Sequence, residues 1–528
     1  IAFFLLYRTS KNPACFNHAW NNKRRAYLLN PVYHFLFHIS IKILCFKNIS
    51  FLIFRIIFIL NFSIKFMKEV IKNKPKAFFE EKLKEKARKI SIQEGSFTSV
   101  QSGLGDYYIT PFAVAVNSSN FQIGLLSSIS TLLGPLSQLF GSKKIEKFSR
   151  KKIVRFSILI QALMWIPLII LCYLYYKNII AGIIPLLLIV FFSFYVFFGN
   201  FASPAWFSWM GDIVDDNHRG RYFSKRNIIT GIIVLASSLL GAFVLDFFKN
   251  NNLTMLGFGI FFFIAMISRL ISRRIFQKQY EPHLKLSKNY YFSFWDFLEK
   301  GRATNFGKFT IYRALIALSV MIAGPFFAVY MLKTLNFNYL VFMLVTVSET
   351  AFALILMPFW GKFSDKFGNY KLLYFTGILI SIFPLLWLFS DSPIYLIFIP
   401  QLIGGIAWAG FNLATGNFIY DLVSPEKRGI AVSYFNLLLG IGGFVGGIIG
   451  ALLVKYISVS FMNLFLFIFL ISGIARILIN LIMLPQIKEI RKTRTSSKAI
   501  KDFVFRSLKL PHFTGAHELI GHKHARAG

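Results

Sequence analysis

Between residues 97 and 484 the chain is a succession of twelve apolar stretches: roughly 97–116, 120–141, 153–176, 179–210, 228–248, 253–272, 306–332, 338–360, 370–390, 393–420, 429–454 and 459–484. Each is about 20 residues or more, the length that carries a helix across the hydrocarbon core of a bilayer. In that medium every backbone N–H and C=O needs an internal partner, so the stretches are predicted to be helices. A soluble chain of 528 residues would distribute its apolar residues periodically, whereas here 55% hydrophobic and 15% charged residues, with 63 Phe, collect in blocks.

The blocks fall into two copies. Residues 212–227 read Asp-x-Val-x4-Arg-Gly-x3-Ser-x2-Asn, and 421–436 repeat the pattern 209 positions later. The match runs on without a gap, pairing Gly231 with Gly440, Ile232 with Ile441, Gly241 with Gly450 and Ala242 with Ala451. Ten of 31 aligned positions are identical, where chance gives about two, so the chain is an internal duplication. Two copies of six spans, joined by a polar stretch at about 273–303, are an organisation found among transporters.

The net charge of +37 would suit nucleic acid or a membrane surface, and its distribution decides between them. Alternate loops hold clusters: Lys143, Lys144, Lys147, Arg150, Lys151, Lys152 and Arg155; Arg219, Arg221, Lys225 and Arg226; Arg273, Arg274 and Lys278. The other loops carry single lysines at Lys177, Lys249, Lys333 and Lys455. This is the positive-inside bias, which places the residues before 97 and after 484 in the cytoplasm and sets nucleic-acid binding aside. Cys172 is the one cysteine within the spans, and the histidines there, His218 and His283, lie in loops, so neither a disulfide framework nor a metal site is expected.

Residues 1–66 contain no Asp, Glu, Gly or Met, while Met67 opens a charged segment, 67–96, that reads as a cytoplasmic helix. The expectation is that 1–66 is translated upstream sequence; the rival is a further span near 41–64, made costly by Lys42, Lys47 and Arg55. The end, 485–528, is basic and carries His512, His517, His522 and His524; a disordered tail is expected ahead of a metal-binding one.

The loop after the eighth stretch reads Gly361-Lys362-Phe363-Ser364-Asp365-Lys366-Phe367-Gly368-Asn369-Tyr370-Lys371. It resembles the Gly-x3-Asp-(Arg/Lys)-x-Gly-x2-(Arg/Lys) loop of the major facilitator superfamily of secondary transporters, and the resemblance covers about 97–484. It implies two six-helix bundles (97–272 and 304–484) around a central cavity, with this loop latching the bundles on the cytoplasmic side through Asp365, together with Arg428, while Lys366 and Lys371 hold that face and Gly361 and Gly368 allow close turns. The first-half counterpart, Gly141-Ser142-Lys143-Lys144-Ile145-Glu146, keeps a glycine and an acid one residue further apart. The loops at Asp212, Arg219 and Gly220 and at Asp421, Arg428 and Gly429 resemble the family's loops after spans four and ten; the rival reading is solvated charge with topological value only. Span five lacks the Gly-Pro pair of the family's proton–drug antiporter motif.

Two acids fall near mid-membrane, Asp106 in Gly-Leu-Gly-Asp-Tyr-Tyr and Glu349 in Val-Ser-Glu-Thr. A carboxylate there costs several kcal/mol unless it is neutral, paired or facing water. Both are candidates for proton coupling or substrate binding, the alternative being a carboxyl that ties helices together. The resemblance places spans one, four, seven and ten around the cavity, making Tyr107, Tyr108, Asn200, Trp408 and Asn412 candidate lining residues, with Gln138, Gln161, Gln401 and Asn417 as further polar positions. Arg313 is expected to snorkel to the cytoplasm. Span eleven carries Gly440, Gly442, Gly443, Gly446, Gly447 and Gly450, spaced for backbone-to-backbone contact, as at an interface that slides or simply packs tightly.

Twelve transmembrane helices in an all-α fold are thus expected to move a small-molecule substrate by alternating access in a prokaryotic plasma membrane. A proton is the candidate coupling ion, one chain suffices as a monomer, and no cofactor is required. A sensor or scaffold built like a transporter is the first alternative. A polytopic enzyme is the second, although no nucleophile cluster or Gly-x4-Gly-Lys-(Ser/Thr) loop is present.

Overall fold

The computed structural model describes residues 79–145, 147–214, 219–282, 294–301, 303–423 and 425–489. The chain forms two compact units, Ile1–Leu83 and Lys84–Gly528; of the first only 79–83 are described, and they are helical. The expectations for 1–66, for Glu146 and for the histidine-bearing tail lie outside the described residues.

All regular structure among the described residues is helical. Eleven helices are long and apolar enough to cross a membrane, and they are numbered here as spans two to twelve: Asn120–Lys144, Arg150–Tyr176, Ile184–Ile213, Arg221–Asn250, Thr254–Gln277, Asn305–Thr334, Tyr339–Phe367, Asn369–Leu386, Pro393–Leu422, Ile430–Tyr456 and Leu464–Gln486. Span one is discontinuous. A helix over 84–104 gives way at Gly105 to a 3-10 turn, Asp106–Tyr108, and then to a short helix, Ile109–Ala115. A carboxylate at the expected mid-span position therefore sits where the regular ladder is interrupted, a common device for bringing polar groups to a cavity.

Short polar residues fix where the spans begin. Ser119 and Gln122 form a reciprocal capping box at the start of span two. Ser149, Thr304, Asn338 and Asn463 each accept a backbone N–H at the start of spans three, seven, eight and twelve. Such caps satisfy N–H groups that would otherwise be stranded where water gives way to lipid. Span eight ends at Gly368, whose φ of 90° is a left-handed conformation that a side chain would resist.

Apolar side chains face both ways. Trp165, Tyr195 and Phe262 interlock inside the first half, and Phe327, Trp387 and Phe469 inside the second. Meanwhile Leu240, Phe243 and Phe247 stand exposed along span five, a pattern suited to a lipid surround. Span two packs on span eleven, and span five on span eight, so the halves meet along both pairs.

Polar ties join the halves at both ends: Asn436 Nδ2 on span eleven donates to Gln138 Oε1 on span two at 3.4 Å toward the basic loops, and a larger group lies at the opposite face. Lys333 Nζ donates to Ser118 O at 2.7 Å and to Asn120 Oδ1 at 3.4 Å. Asp246, at the end of span five, accepts the backbone N–H groups of Tyr339 and Leu340, each at 2.8 Å, so a carboxylate of one half caps a helix N-terminus of the other. Lys455 lies 5.1 Å from the centre of the Phe121 ring.

Candidate functional site

A cavity of about 490 Å³ opens between the halves. Asp106, Tyr107 and Thr110 come to it from span one, Phe327 and Met331 from span seven, Thr346 and Glu349 from span eight, Trp387 from the C-terminal cap of span nine, Gln401 and Trp408 from span ten, and Arg476 from span twelve. Five of the sequence candidates, Asp106, Glu349, Tyr107, Trp408 and Gln401, are thus brought together.

The two acids sit in different settings. Asp106 accepts a hydrogen bond from Tyr195 Oη at 2.5 Å and, through both oxygens, from Gln101 Nε2 at 3.2 Å; Gln101 also contacts Tyr195. Glu349 makes no side-chain hydrogen bond among the described residues, and the cation acting on it is Arg476 on the same cavity wall. Arg476 is itself anchored, donating from Nη1 to Ile380 O at 2.9 Å and from Nη2 to Ser472 Oγ at 3.0 Å.

Tyr108, Asn200 and Asn412 do not line this cavity. Tyr108 is fully buried and donates to Ser238 O at 2.6 Å, because successive residues of a 3-10 turn point roughly 120° apart and Tyr107 takes the cavity side. Asn200 turns toward span two: its Nδ2 donates to Val196 O, and its Oδ1 accepts from Gln138 Nε2 at 3.4 Å. Asn412 is exposed, one turn beyond Trp408. Arg313 does not snorkel but is buried, with its guanidinium 4.2 Å from the centre of the Phe411 ring.

The basic face holds a second, duplicated constellation. In the first half Arg150, the first residue of span three, is 1% exposed and donates to Asp212 Oδ2 at 2.6 Å, to Ser208 O at 3.1 Å and to Pro282 O at 2.7 Å. Its neighbour, the Lys151 backbone N–H, donates to Glu281 Oε1 at 3.3 Å. In the second half Asn369, the first residue of span nine, donates to Asp421 Oδ2 at 2.8 Å, and the Tyr370 N–H donates to Glu489 Oε2 at 2.8 Å. Each repeated aspartate thus pairs with the first residue of the adjacent span. For Arg219, Gly220, Arg428 and Gly429 only the backbone is described. Asp365 is exposed at the end of span eight, Lys366 lies 5.3 Å over the Phe367 ring, and Lys371 is half-buried.

Two intramembrane cations escaped the reading of the sequence. Arg269 in span six donates to Gln161 Oε1 at 2.8 Å and to Thr98 Oγ1 at 2.7 Å, and lies 3.8 Å from buried Glu94, which also faces Arg226 at 3.4 Å. Arg476 is the other. Both stand alone in apolar runs, Ile-Ser-Arg-Leu-Ile and Ile-Ala-Arg-Ile-Leu, the same signal that singled out Asp106 and Glu349.

Comparison with known proteins places these features in a family. The Major Facilitator Superfamily profile matches residues 95–297 and 309–520, one segment for each half. Among curated proteins, Vacuolar basic amino acid transporter 2 of Saccharomyces cerevisiae is 30% identical over 150 residues, 28% of this chain and 30% of its own length. Multidrug resistance protein 3 of Bacillus subtilis is 31% identical over 114 residues, 22% of each chain. These alignments therefore span less than a third of either relative. Among solved structures, a mutant of the nucleoside transporter NupG superposes with a TM-score of 0.58 at 16% identity, covering 76% of this chain and 100% of that one. A bacterial homologue of the iron transporter ferroportin in its inward-facing state gives 0.56 at 15% identity, covering 76% and 98%. At such identities the superpositions speak for the fold alone.

Proposed function

The chain belongs to the Major Facilitator Superfamily and is a multi-pass membrane transporter of that type, and from that premise we propose that it moves a small solute by alternating access, with the cavity as the substrate site. The observation that carries this reading is a cavity lined by acids from both halves, Asp106 and Glu349, next to a face where the halves are tied by Lys333 and Asp246. A carboxylate from each half lets one bound solute, or one proton, bias how the halves rock. The relatives' names, one for basic amino acids and one for multidrug resistance, are compatible with a small organic solute.

We further propose that the basic face is cytoplasmic, in a prokaryotic plasma membrane, with both ends of 67–528 on that side and with six-span bundles at 97–272 and 304–484 joined by a linker at 273–303. The state described is then open to the cytoplasm. The ties of Lys333 and Asp246 across the opposite face support this. The pairs Arg150–Asp212 and Asn369–Asp421 hold each bundle's basic end rigid, and Asp365 stands ready to latch across when that face closes. One chain carries both bundles, so a monomer suffices.

The test is uptake by proteoliposomes containing the full chain, screened with pooled labelled metabolites and drugs, with and without a proton gradient. Accumulation of any solute above empty vesicles supports the carrier; none from folded protein moves the reading to a transporter-like sensor. Asp365→Asn should insert normally and reduce the uptake rate roughly tenfold by weakening the outward-facing state. Parental uptake by a well-expressed Asp365→Asn protein removes the latch.

A further inference from the structure

The polar atoms left unsatisfied around the cavity describe a ligand. Among the described residues, three buried atoms of cavity-lining side chains have no hydrogen-bond partner: Arg476 Nε, Trp387 Nε1 and Gln401 Oε1. Their residues are 1%, 1% and 5% exposed. Gln401 is oriented by its other end, where Nε2 donates to Val345 O at 2.9 Å, so the carbonyl is the end left over. Arg476 is likewise held by its Nη atoms, leaving its Nε–H as the spare donor. Glu349 completes the set as a carboxylate without a side-chain hydrogen bond.

A buried polar group without a partner costs stability, and although such atoms also occur elsewhere among the described residues, as at Trp165 Nε1 and Gln279 Oε1, these three belong to side chains of one cavity wall, where an occupant would supply their partners. Two of these four groups are donors, one of them on a guanidinium; the other two are acceptors, one of them a carboxylate. An organic cation would satisfy Glu349 and Gln401 but press a like charge against Arg476. An organic anion would satisfy Arg476 and Trp387 but face Glu349. A neutral solute with donors and acceptors would meet all four groups without matching either charge, whereas a molecule carrying both charges meets all four with charge complementarity on each side.

We propose that the cavity binds a small zwitterion with an ammonium and a carboxylate on one molecule, of the amino-acid type, and this rests on the cavity being the substrate site. The ammonium goes to Glu349 and Gln401 Oε1. The carboxylate takes the N–H groups of Arg476 and Trp387, a charge-assisted contact on one side. The remainder of the solute lies against Tyr107, Phe327 and Trp408, whose rings supply apolar surface.

The experiment is ligand-dependent thermal unfolding and isothermal titration of the detergent-purified full chain. Its probes are the standard L-amino acids, each beside the matched amine lacking the carboxylate and the matched acid lacking the ammonium. At least one amino acid should bind about tenfold or more tighter than both of its matched fragments. Glu349→Gln should weaken it by about tenfold or more. Trp387→Phe, which keeps the ring and deletes only the N–H, should weaken it about threefold to tenfold without loss of folding. Overturning results are an amine that binds as well as its parent amino acid, no binding by any amino acid, or full affinity in folded Trp387→Phe and Glu349→Gln proteins alike. Binding needs no flux, so the two readings fail separately. Selective zwitterion binding without transport retires the carrier and keeps the site, whereas transport of solutes lacking one of the two charges retires the site and keeps the carrier.

Discussion

Proteoliposomes containing the Glu349→Gln variant are expected to lose proton-driven accumulation of substrate by about tenfold or more while still exchanging labelled for unlabelled substrate at saturating concentration. The reasoning begins with what holds each carboxyl. Asp106 is clasped by Tyr195 and Gln101 and sits at the break in span one, so most of its hydrogen-bonding capacity is already used inside the protein. Glu349 lines the same cavity without a side-chain hydrogen bond, facing the space where substrate and solvent come and go. A group that must take up and release a proton in each cycle has to be reachable and weakly held, and Glu349 answers that description better. If it also receives the substrate ammonium, proton and substrate compete for one carboxylate, and competition at a single site is sufficient to couple their movements. Removing the charge abolishes the competition but not the rocking of the halves, hence exchange without accumulation. Asp106→Asn should act differently: it disturbs the Tyr195 and Gln101 contacts that fix the cavity wall, and should slow exchange and accumulation together. Concentrative uptake at parental level by Glu349→Gln would remove it from the coupling step. Loss of accumulation alone in Asp106→Asn would transfer that role to Asp106.

Much of this arrangement can be traced to the sequence, and the boundary has a physical cause. Apolar length reports spans faithfully because the bilayer imposes one length on every helix, and eleven of the twelve expected stretches are helices long enough to cross, with single-residue interruptions at Met164, Ala202 and Ile399 in spans three, four and ten. The break in span one is a response to Asp106 and its partners on spans one and four, which no hydropathy window contains. Duplication pointed to Asp212 and Asp421 as a matched pair. Their partners, Arg150 and Asn369, lie 62 and 52 residues away and differ in chemical type, so the repeat could not reveal them. The cavity wall was half legible. A charge in an apolar run is visible at Asp106, Glu349, Arg269 and Arg476 alike, but which of two neighbours such as Tyr107 and Tyr108 faces inward depends on a helical phase set by packing. Asn200 failed for a related reason: most of the wall comes from the second half, and span four turns its amide toward span two.

Gly446→Leu should give a protein that is poorly expressed or unfolds far below the parent, with a cost of about 3 kcal/mol or more. Span eleven presents glycines on two faces. Cβ atoms added at Gly442, Gly446 and Gly450 would overlap the carbonyl oxygens of Ala314, Leu318 and Ile322, one turn apart on span seven, so the two backbones lie in direct contact. Added at Gly443 and Gly447, they would meet the side chains of Thr131 and Ser128 on span two, in the opposite half. The first face is a seam within one bundle, and carbonyl oxygens cannot step aside. The second is a boundary between bundles, where the obstacles are side chains at a surface that must shift during transport. Helix propensity alone predicts the opposite sign, because replacing a mid-helix glycine gains up to about 1 kcal/mol. A fall in thermal stability for Gly446→Leu therefore isolates the packing contribution. Gly447→Ala should cost far less stability and slow flux instead, by obstructing movement of span eleven past span two. The measurement is the unfolding temperature in detergent for both variants beside their uptake rates. Parental stability in Gly446→Leu would mean that spans seven and eleven do not approach so closely, and a Gly447→Ala protein with parental flux would mean that the boundary between spans two and eleven stays still as the halves rock.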